Sequence, residues 1–332
     1  MFESPAVCTY FDHRYLTRGL VLHASLRKHL PNSTLYVLAL TEECARSLES
    51  LQLEGVHIIT LERLEAERPE LAEIKKSRSL IEYYFTLSPV LPLYLFENGL
   101  VDGELFYLDA DGCVYAEFAA LSEQLAGASV GITPHRFPED EKHRESAGRY
   151  NVGFQYYSGD AESLKILRWW RDRCYEWCYD QIEKQRYADQ KYLERWPELF
   201  ERVREIDHPG VNAAPWNISR YGLETRGEKI KAITLDDQPL IFYHYQGLRR
   251  LSKRLTRTGL EHYRIFESPQ ATRRVTNWIY RPYIRALIRA EKRIQNSASA
   301  ALEQTLRYAP EPTSALQKIK HLLRRRIVFS WG

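Results

Sequence analysis

Two carboxylates one residue apart, Asp109 and Asp111, end an apolar run in GELFYLDADG. On a backbone that stays extended, side chains two residues apart share a face. The pair then presents hard oxygen donors at a strand's carboxyl end, where open α/β sheets bind ligands. Unpaired carboxylates there are costly, and a divalent cation bound to a diphosphate would compensate them. The bland alternative is two solvated loop aspartates, but the buried-type strand Phe106-Tyr107-Leu108 aimed at the pair is not what a solvated loop predicts. His244 is delivered in the same way by PLIFYHYQG, an apolar strand ending at a glycine. Its imidazole can complete a carboxylate site; standing alone, it would read as a core histidine bonded to backbone. YNVGF supplies Asn151, a donor and acceptor for sugar hydroxyls, and Gly153, which lets a ligand approach the backbone. YADQKYL sets Asp189 beside Gln190 at a helix start, where helix capping is the competing reading. HPGVNAAPWN offers Trp216 as a stacking surface for a sugar ring, with His208 and Asn217 as polar partners, or else a packed Pro-Trp corner.

The elements that must position these groups read as alternating strand and helix. Ala6 to Phe11, Thr34 to Leu40 and Val56 to Leu61 are predicted strands. Tyr15 to Leu30 and Thr41 to Leu51 are predicted helices, the second with Thr41 as N-cap and two glutamates in its first turn. Residues 70–97 are expected to be mostly helical, broken at Pro89 and Pro92. Further strands are expected at Ser129 to His135, Tyr150 to Asp160 and Leu240 to Tyr245, with helices over Ala161 to Asp180 and from Tyr187 to Trp196. Strands separated by helices of this length imply an α/β fold with a mostly parallel sheet and helices on both faces. With 332 residues, 44% hydrophobic and 27% charged, the composition is that of a globular protein and not of a disordered chain. No stretch approaches the roughly 20 apolar residues of a spanning helix, and the N-terminus has no basic n-region or apolar h-region. Five scattered cysteines do not suggest a disulfide framework. Cys174 and Cys178, four apart on one helix, lack the further ligands of a zinc site. These features predict a cytoplasmic protein.

Taken in order, FYLDADG, YNVGF, ADQKYL and FYHYQG resemble the GT-A nucleotide-sugar glycosyltransferases, close to glycosyltransferase family 8, over about residues 5 to 248. The resemblance implies a GT-A, Rossmann-like domain over residues 1–248. Asp109, Asp111 and His244 would hold the Mn²⁺ or Mg²⁺ that grips the donor diphosphate. Asn151 would lie near the transferred sugar, and Asp189 and Gln190 at its reacting face. TYFDHRY matches the loop that holds the base, implying donor contacts from Thr9, Tyr10 and Tyr15. KKSRSLIEYYFTLSP stands where the family places basic donor contacts, with Arg78 as the candidate against a plain surface charge. The family follows its histidine with Gly and then Lys-Pro-Trp, whereas here Gly247 is followed by Leu248-Arg249-Arg250. Either arginine would replace the charge of that lysine but not its geometry.

Such an enzyme stabilises the leaving diphosphate with the cation and an oxocarbenium-like centre with a nearby oxygen. With retention, Asp189 or Gln190 lies opposite the leaving group; with inversion, Asp189 is the candidate base. Family 8 retains. A nucleotidylyltransferase shares the sheet and the metal but needs a Gly-rich phosphate loop, which TYFDHRYLTRG lacks. A non-catalytic nucleotide-sugar-binding scaffold is the third reading, and it would tolerate loss of Asp109, Asp111 or His244; all three are present.

The net charge of +3 conceals an asymmetry. Residues 249–332 hold 19 Lys or Arg against 5 Asp or Glu, while the other 248 residues hold 28 against 39. Asn277 to Ile294 and Leu316 to Gly332 mix arginine and lysine with Trp, Ile, Leu and Phe, and are expected to be helical, joined by a hinge over 297–315. One reading is an appendage packed on the body or on another subunit. The other is an interfacial helix on an anionic membrane, placing the enzyme on the inner face of the membrane beside a glycan or glycolipid acceptor. That would suit polysaccharide or lipopolysaccharide synthesis. Nucleic acid is not an expected partner, because the acidic body would repel it.

Overall fold

The computed structural model describes residues 2, 4–226, 232–263, 269–296 and 327–329. Strand β1 (Ala6–Phe11) leads through a short turn into helix α1 (Leu16–His29), followed by β2 (Thr34–Ala39), α2 (Glu42–Leu51) and β3 (Val56–Thr60). Two short helices, α3 (Leu61–Glu67) and α4 (Glu70–Lys76), precede the long α5 (Leu80–Glu97), which enters β4 (Leu105–Leu108). Next come β5 (Gly112–Val114), β6 (Val130–Pro134), β7 (Tyr150–Tyr157), α6 (Ala161–Glu176), the single-turn α7 (Trp196–Leu199) and β8 (Val203–Glu205). One seven-stranded sheet runs β3-β2-β1-β4-β7-β6-β8. The pairs β1–β2, β2–β3, β1–β4 and β6–β8 are parallel, and β7 lies antiparallel to both β4 and β6.

The period of two explains the layers. Val7 and Phe11 of β1, Leu35 and Val37 of β2, and Phe106 and Leu108 of β4 face one side, packed with Leu20, Leu22 and Leu26 of α1. Cys8, Leu38, Leu105 and Tyr107 face the other, against Leu87, Leu91 and Tyr94 of α5 and Ile166, Leu167 and Trp170 of α6. Thr41 caps α2 as its sequence predicts, accepting from the Cys44 N–H at 3.3 Å. Pro89 and Pro92 do not break α5, which runs unbroken through both. Each interior proline costs about 3 kcal/mol, and burial of Leu87, Val90, Leu91, Leu93 and Leu95 offsets that cost. The helix expected from Tyr187 is instead a 3₁₀ helix over Gln190–Arg195 leading into α7. All five cysteines are free thiols.

Beyond β8 the chain forms a three-stranded antiparallel sheet, β9 (Leu223–Arg226), β10 (Ala232–Leu235) and β11 (Gln238–Pro239), and then β12 (Phe242–His244), which pairs with β5. A further small sheet combines β13 (Arg249–Arg250), β14 (Leu255–Arg257) and β15 (Ile327–Phe329). Helix α8 (Pro269–Val275), a π turn (Thr276–Tyr280) and α9 (Arg281–Asn296) form one helical run, as expected for Asn277 to Ile294. Ile327–Phe329 is a strand and not the end of a helix, pairing antiparallel with β14. The expected hinge over 297–315 and the helix over 316–326 lie outside the described residues. Tyr280, Tyr283, Ile284, Leu287 and Ile294 share one core with α1, so the apolar side of α9 is covered by the body. No helix of the described residues is long and apolar enough to cross a membrane.

Candidate active site

The carboxyl ends of β1, β4 and β6 and the amino end of the antiparallel β7 open into a cleft of about 560 Å³ whose wall includes Tyr10, Asp12, Tyr15, Asp109, Asp111, His135, Asn151, Asp189, Gln190, Trp216 and His244. Asp109 is fixed at the end of the central strand β4 by its N–H, which donates to the Gly153 carbonyl at 3.0 Å. The turn closes with Gly112 N–H donating to the Asp109 carbonyl at 3.0 Å, and β5 then pairs with β12 so that Gly112 stands opposite His244. Two elements far apart in sequence thereby meet. His244 Nε2 lies 3.1 Å from Asp111 Oδ1 and 3.6 Å from Asp109 Oδ2.

The ligand atoms of Asp109, Asp111 and His244 all lie within 4.8 Å of one another, the arrangement a single cation needs. Neighbouring ligands at about 2.1 Å from one ion stand about 3 Å apart. Two carboxylate oxygens with one imidazole nitrogen suit Mn²⁺ or Mg²⁺. Burial pushes the Asp109 carboxyl up. Burial acts the same way on Asp111, but the His244 imidazole outweighs it and holds that carboxyl below its usual range. Burial would lower His244, and the two carboxylates outweigh it to give a raised value.

Glycine at 153 is required by this packing. A Cβ there would stand 2.6 Å from His244 Nδ1, 2.7 Å from Asn151 Oδ1 and 3.0 Å from Asp109 Oδ2. Gly153 lies behind the cluster and not in the cleft wall, where the lack of a side chain lets the cluster close. Asn151 is at the cleft but largely occupied. Its Oδ1 accepts from Gly153 N–H and Asn212 Nδ2, each at 2.9 Å, and its amide meets His135 Nε2 at 3.4 Å.

Asp189 is 5% exposed and does not cap the helix that follows it. Its Oδ2 accepts from Ser88 Oγ at 2.5 Å, and Ser88 meets the Tyr10 hydroxyl at 2.9 Å. Burial, reinforced by the Asp109 charge, pushes the Asp189 carboxyl up to about 7. Gln190 donates its amide to the Ala147 carbonyl at 2.8 Å, which fixes the side chain in the wall. Trp216 is both corner and wall. It is 2% exposed, and its ring stands edge-on to His244 at 5.2 Å and to His135 at 5.3 Å.

Four other candidates lie away from the cleft. Thr9 points into the core at mid-strand. Arg78 caps the end of α6, donating to the carbonyls of Cys174, Tyr175 and Cys178 at 2.8–3.0 Å, and stacks on Tyr179. His208 Nδ1 accepts from Gly210 N–H at 3.1 Å. Asn217 bonds Ala214 N–H and the carbonyls of His135 and Asn212, pinning the corner that carries Trp216. Arg250 pairs with Glu291, and neither it nor Arg249 is in the cleft wall.

The cleft also holds residues the sequence reading did not single out. Asp12 takes the Arg14 backbone N–H at 2.9 Å and its Nε at 2.7 Å. His135 directly follows β6, and burial lowers its imidazole to about 4, so it is neutral at physiological pH. Arg144 stacks on Tyr263, and Phe137, Tyr84 and Phe85 also line the wall. A histidine ending a strand is the same signal that marked His244. Tyr84 and Phe85 come from α5, Arg144 from a 3₁₀ stretch and Phe137 from a loop, and none of them ends an apolar strand, so they carry no such signal.

This fold, with an Asp-Asp-His cluster at the end of its central strand, is the GT-A fold. Among solved structures it is similar to the galactosyltransferase LgtC determined with donor and acceptor sugar analogues, with a TM-score of 0.53 and 15% identity over 91% of this chain and 100% of that one. An active-site mutant of LgtC gives 0.50 at 16% identity over 73% of this chain and 87% of that one. No protein-family model matches the chain. Two Bacillus subtilis proteins are similar along most of their length. The uncharacterised YfnD is 32% identical over 293 residues, 87% of this chain and 90% of its own, and the uncharacterised YfnF is 31% identical over 255 residues, 74% and 82% respectively. The chain belongs to the family of YfnD and YfnF.

Proposed function

We propose that the protein is a metal-dependent glycosyltransferase that moves a sugar from a nucleotide-diphosphate donor, a UDP-sugar, to a cell-surface glycan or lipid-linked acceptor with retention. The observation that carries this reading is the Asp109–Asp111–His244 cluster in the wall of a 560 Å³ cleft at the carboxyl end of a GT-A sheet. Bound there, Mn²⁺ or Mg²⁺ supplies Lewis-acid stabilisation of the leaving diphosphate. The chain's own part is to hold the donor and exclude water. Tyr10 and Tyr15 line the donor side of the cleft, and Asn151, Asp189 and Gln190 line the sugar side. Trp216 is the acceptor-side surface in this assignment. Retention rests on the resemblance of the Asp189-Gln190 pair to that of family 8.

The test is a panel of nucleoside diphosphates and nucleotide sugars, with and without Mn²⁺, read by thermal shift on wild type and Asp111→Ala. A ligand at 100 times its Kd stabilises by about 2.7 kcal/mol. The expected result is a Mn²⁺-dependent shift with UDP that Asp111→Ala loses, followed by sugar release from the matching donor. A shift without turnover on any donor would favour a binding scaffold, and no shift from folded protein would refute both.

Residues 249–332 are read as meeting an anionic membrane surface from the cytoplasmic side. The support is the outer face of α9, where Arg281, Arg285, Arg289 and Lys292 are exposed three or four residues apart. Because the apolar face of this helix is buried, contact through α9 would be electrostatic, at about 1 kcal/mol per cation, and salt-sensitive. Flotation with anionic vesicles at 50 mM and 300 mM salt tests it.

A further inference from the structure

Asp111 and His244 are carried by structure outside the seven-stranded sheet. β5 and β12 pair with each other, and the 210–213 segment borders β12, with His244 N–H donating to the Ala213 carbonyl at 2.8 Å. Asp109, in contrast, is tied to the main sheet through Gly153. Two of the three ligands therefore have a different foundation from the third, and whatever sets the ribbon's height above the sheet sets the ligand geometry.

The ribbon has two faces. Phe242 packs inward on Phe154 at 5.6 Å, on the same side as His244. Tyr243 and Tyr245 face the other way, onto the C-terminal helical run. The Tyr283 ring of α9 stacks on Tyr245 with centroids 3.6 Å apart and planes 6° from parallel. Tyr245 donates its hydroxyl to the Ile279 carbonyl at 3.1 Å, and the Tyr243 and Tyr280 hydroxyls meet at 3.2 Å. The backbone N–H of Tyr245 in turn holds the Asp111 carbonyl at 2.9 Å. One residue thus follows His244, binds the backbone of Asp111 and rests on α9.

We propose that α9 is a positioning element of the metal site, acting through the Tyr283 ring stacked on Tyr245. This rests on the reading of Asp109, Asp111 and His244 as metal ligands. Tyr283 is 2% exposed and its hydroxyl has no hydrogen-bond partner among the described residues, so its place is set by ring contact. Removing the ring opens a cavity beneath Tyr245, and the ribbon relaxes into it. His244 and Asp111 then shift relative to Asp109, and metal ligands tolerate only a few tenths of an ångström. Helix α9 is in this account part of the catalytic body.

The experiment is Mn²⁺ binding to the full chain without nucleotide, measured by electron paramagnetic resonance of free Mn²⁺. Wild type is compared with Tyr283→Ala, Tyr283→Phe and, as a control from the opposite layer, Leu167→Ala. Tyr283→Ala is expected to weaken Mn²⁺ by about tenfold or more, the usual effect of losing a ligand's support. Tyr283→Phe keeps wild-type affinity, and Leu167→Ala lowers the melting temperature without changing it. Wild-type affinity in folded Tyr283→Ala, or equal weakening in Leu167→Ala, would overturn the proposal while leaving the metal site intact. If Tyr283→Ala does not fold, Tyr283→Leu, which fills the space without stacking, takes its place with the same expectations. Wild type that binds no Mn²⁺ would instead overturn the metal-site reading, and this proposal with it.

Discussion

Replacing Asp189 by asparagine should stabilise the protein, and by an amount that depends on pH. Asp189 is buried with one side-chain hydrogen bond, from Ser88, and its carboxyl is pushed from an ordinary 3.8 to about 7. Between those values the folded protein holds a proton that the unfolded chain has released, so stability falls as pH rises through the window and is level above it. At about 1.4 kcal/mol per pH unit, the full penalty has a ceiling of ~4 kcal/mol. Relaxation around the charge reduces that, and about 2–4 kcal/mol is the working range. Asparagine keeps an acceptor for the Ser88 hydroxyl and carries no charge. For 332 residues, an unfolding entropy of about 2.1 cal/mol/K per residue converts this to roughly 3–6 °C. Differential scanning calorimetry of both proteins from pH 4 to 8 is the assay. The difference should be near zero at pH 4, grow through pH 7 and then level off. A difference that is independent of pH, or an asparagine variant less stable at pH 8, would refute the reasoning.

Gly153→Ala should abolish Mn²⁺ binding and lower the melting temperature, because its Cβ would stand 2.6 Å from His244 Nδ1; calorimetric titration with Mn²⁺ checks it. Arg78→Met should cost about 2 kcal/mol in urea unfolding, from lost charged hydrogen bonds to carbonyls, and leave UDP binding unchanged; a tenfold loss of UDP affinity would return Arg78 to the donor site. Mn²⁺ affinity should weaken as pH falls, since His244 and Asp109 both have raised values and must release protons to bind the ion. Equal affinity at pH 6 and 8 would count against that ligand set.

Much of the site was legible because its residues end strands. Apolar runs halting at Asp109, with Asp111 two residues on, and at His244 marked those positions, and the order of four motifs supplied the fold. What could not be read was the direction of isolated polar side chains. Arg78 has the charge and neighbourhood of a donor contact, yet the exposed carbonyls at the end of α6 lie nearer and claim it. Asn217 and His208 look like acceptor ligands, but a tight corner needs their hydrogen bonds. Pro89 and Pro92 read as helix breakers because local propensity is all a sequence window contains, whereas burial on two sides outweighs it. The basic tail left two readings, packing on the body or lying on a membrane, because charge is visible in composition whereas the ring contacts that seat α9 on Tyr245 are not.

The two prolines of α5 leave the carbonyls of Phe85 and Ser88 without their helical donors. These are the residues where the helix borders the cleft: Phe85 is in its wall, and Ser88 holds Asp189. Along this stretch α5 lacks two of its ladder bonds and is held in part by side-chain packing. A helix missing two rungs resists stretching and bending less than an intact one. The cleft wall therefore has compliance at the point where a substrate would press on it, while the apolar half from Val90 to Leu95 stays anchored in the core.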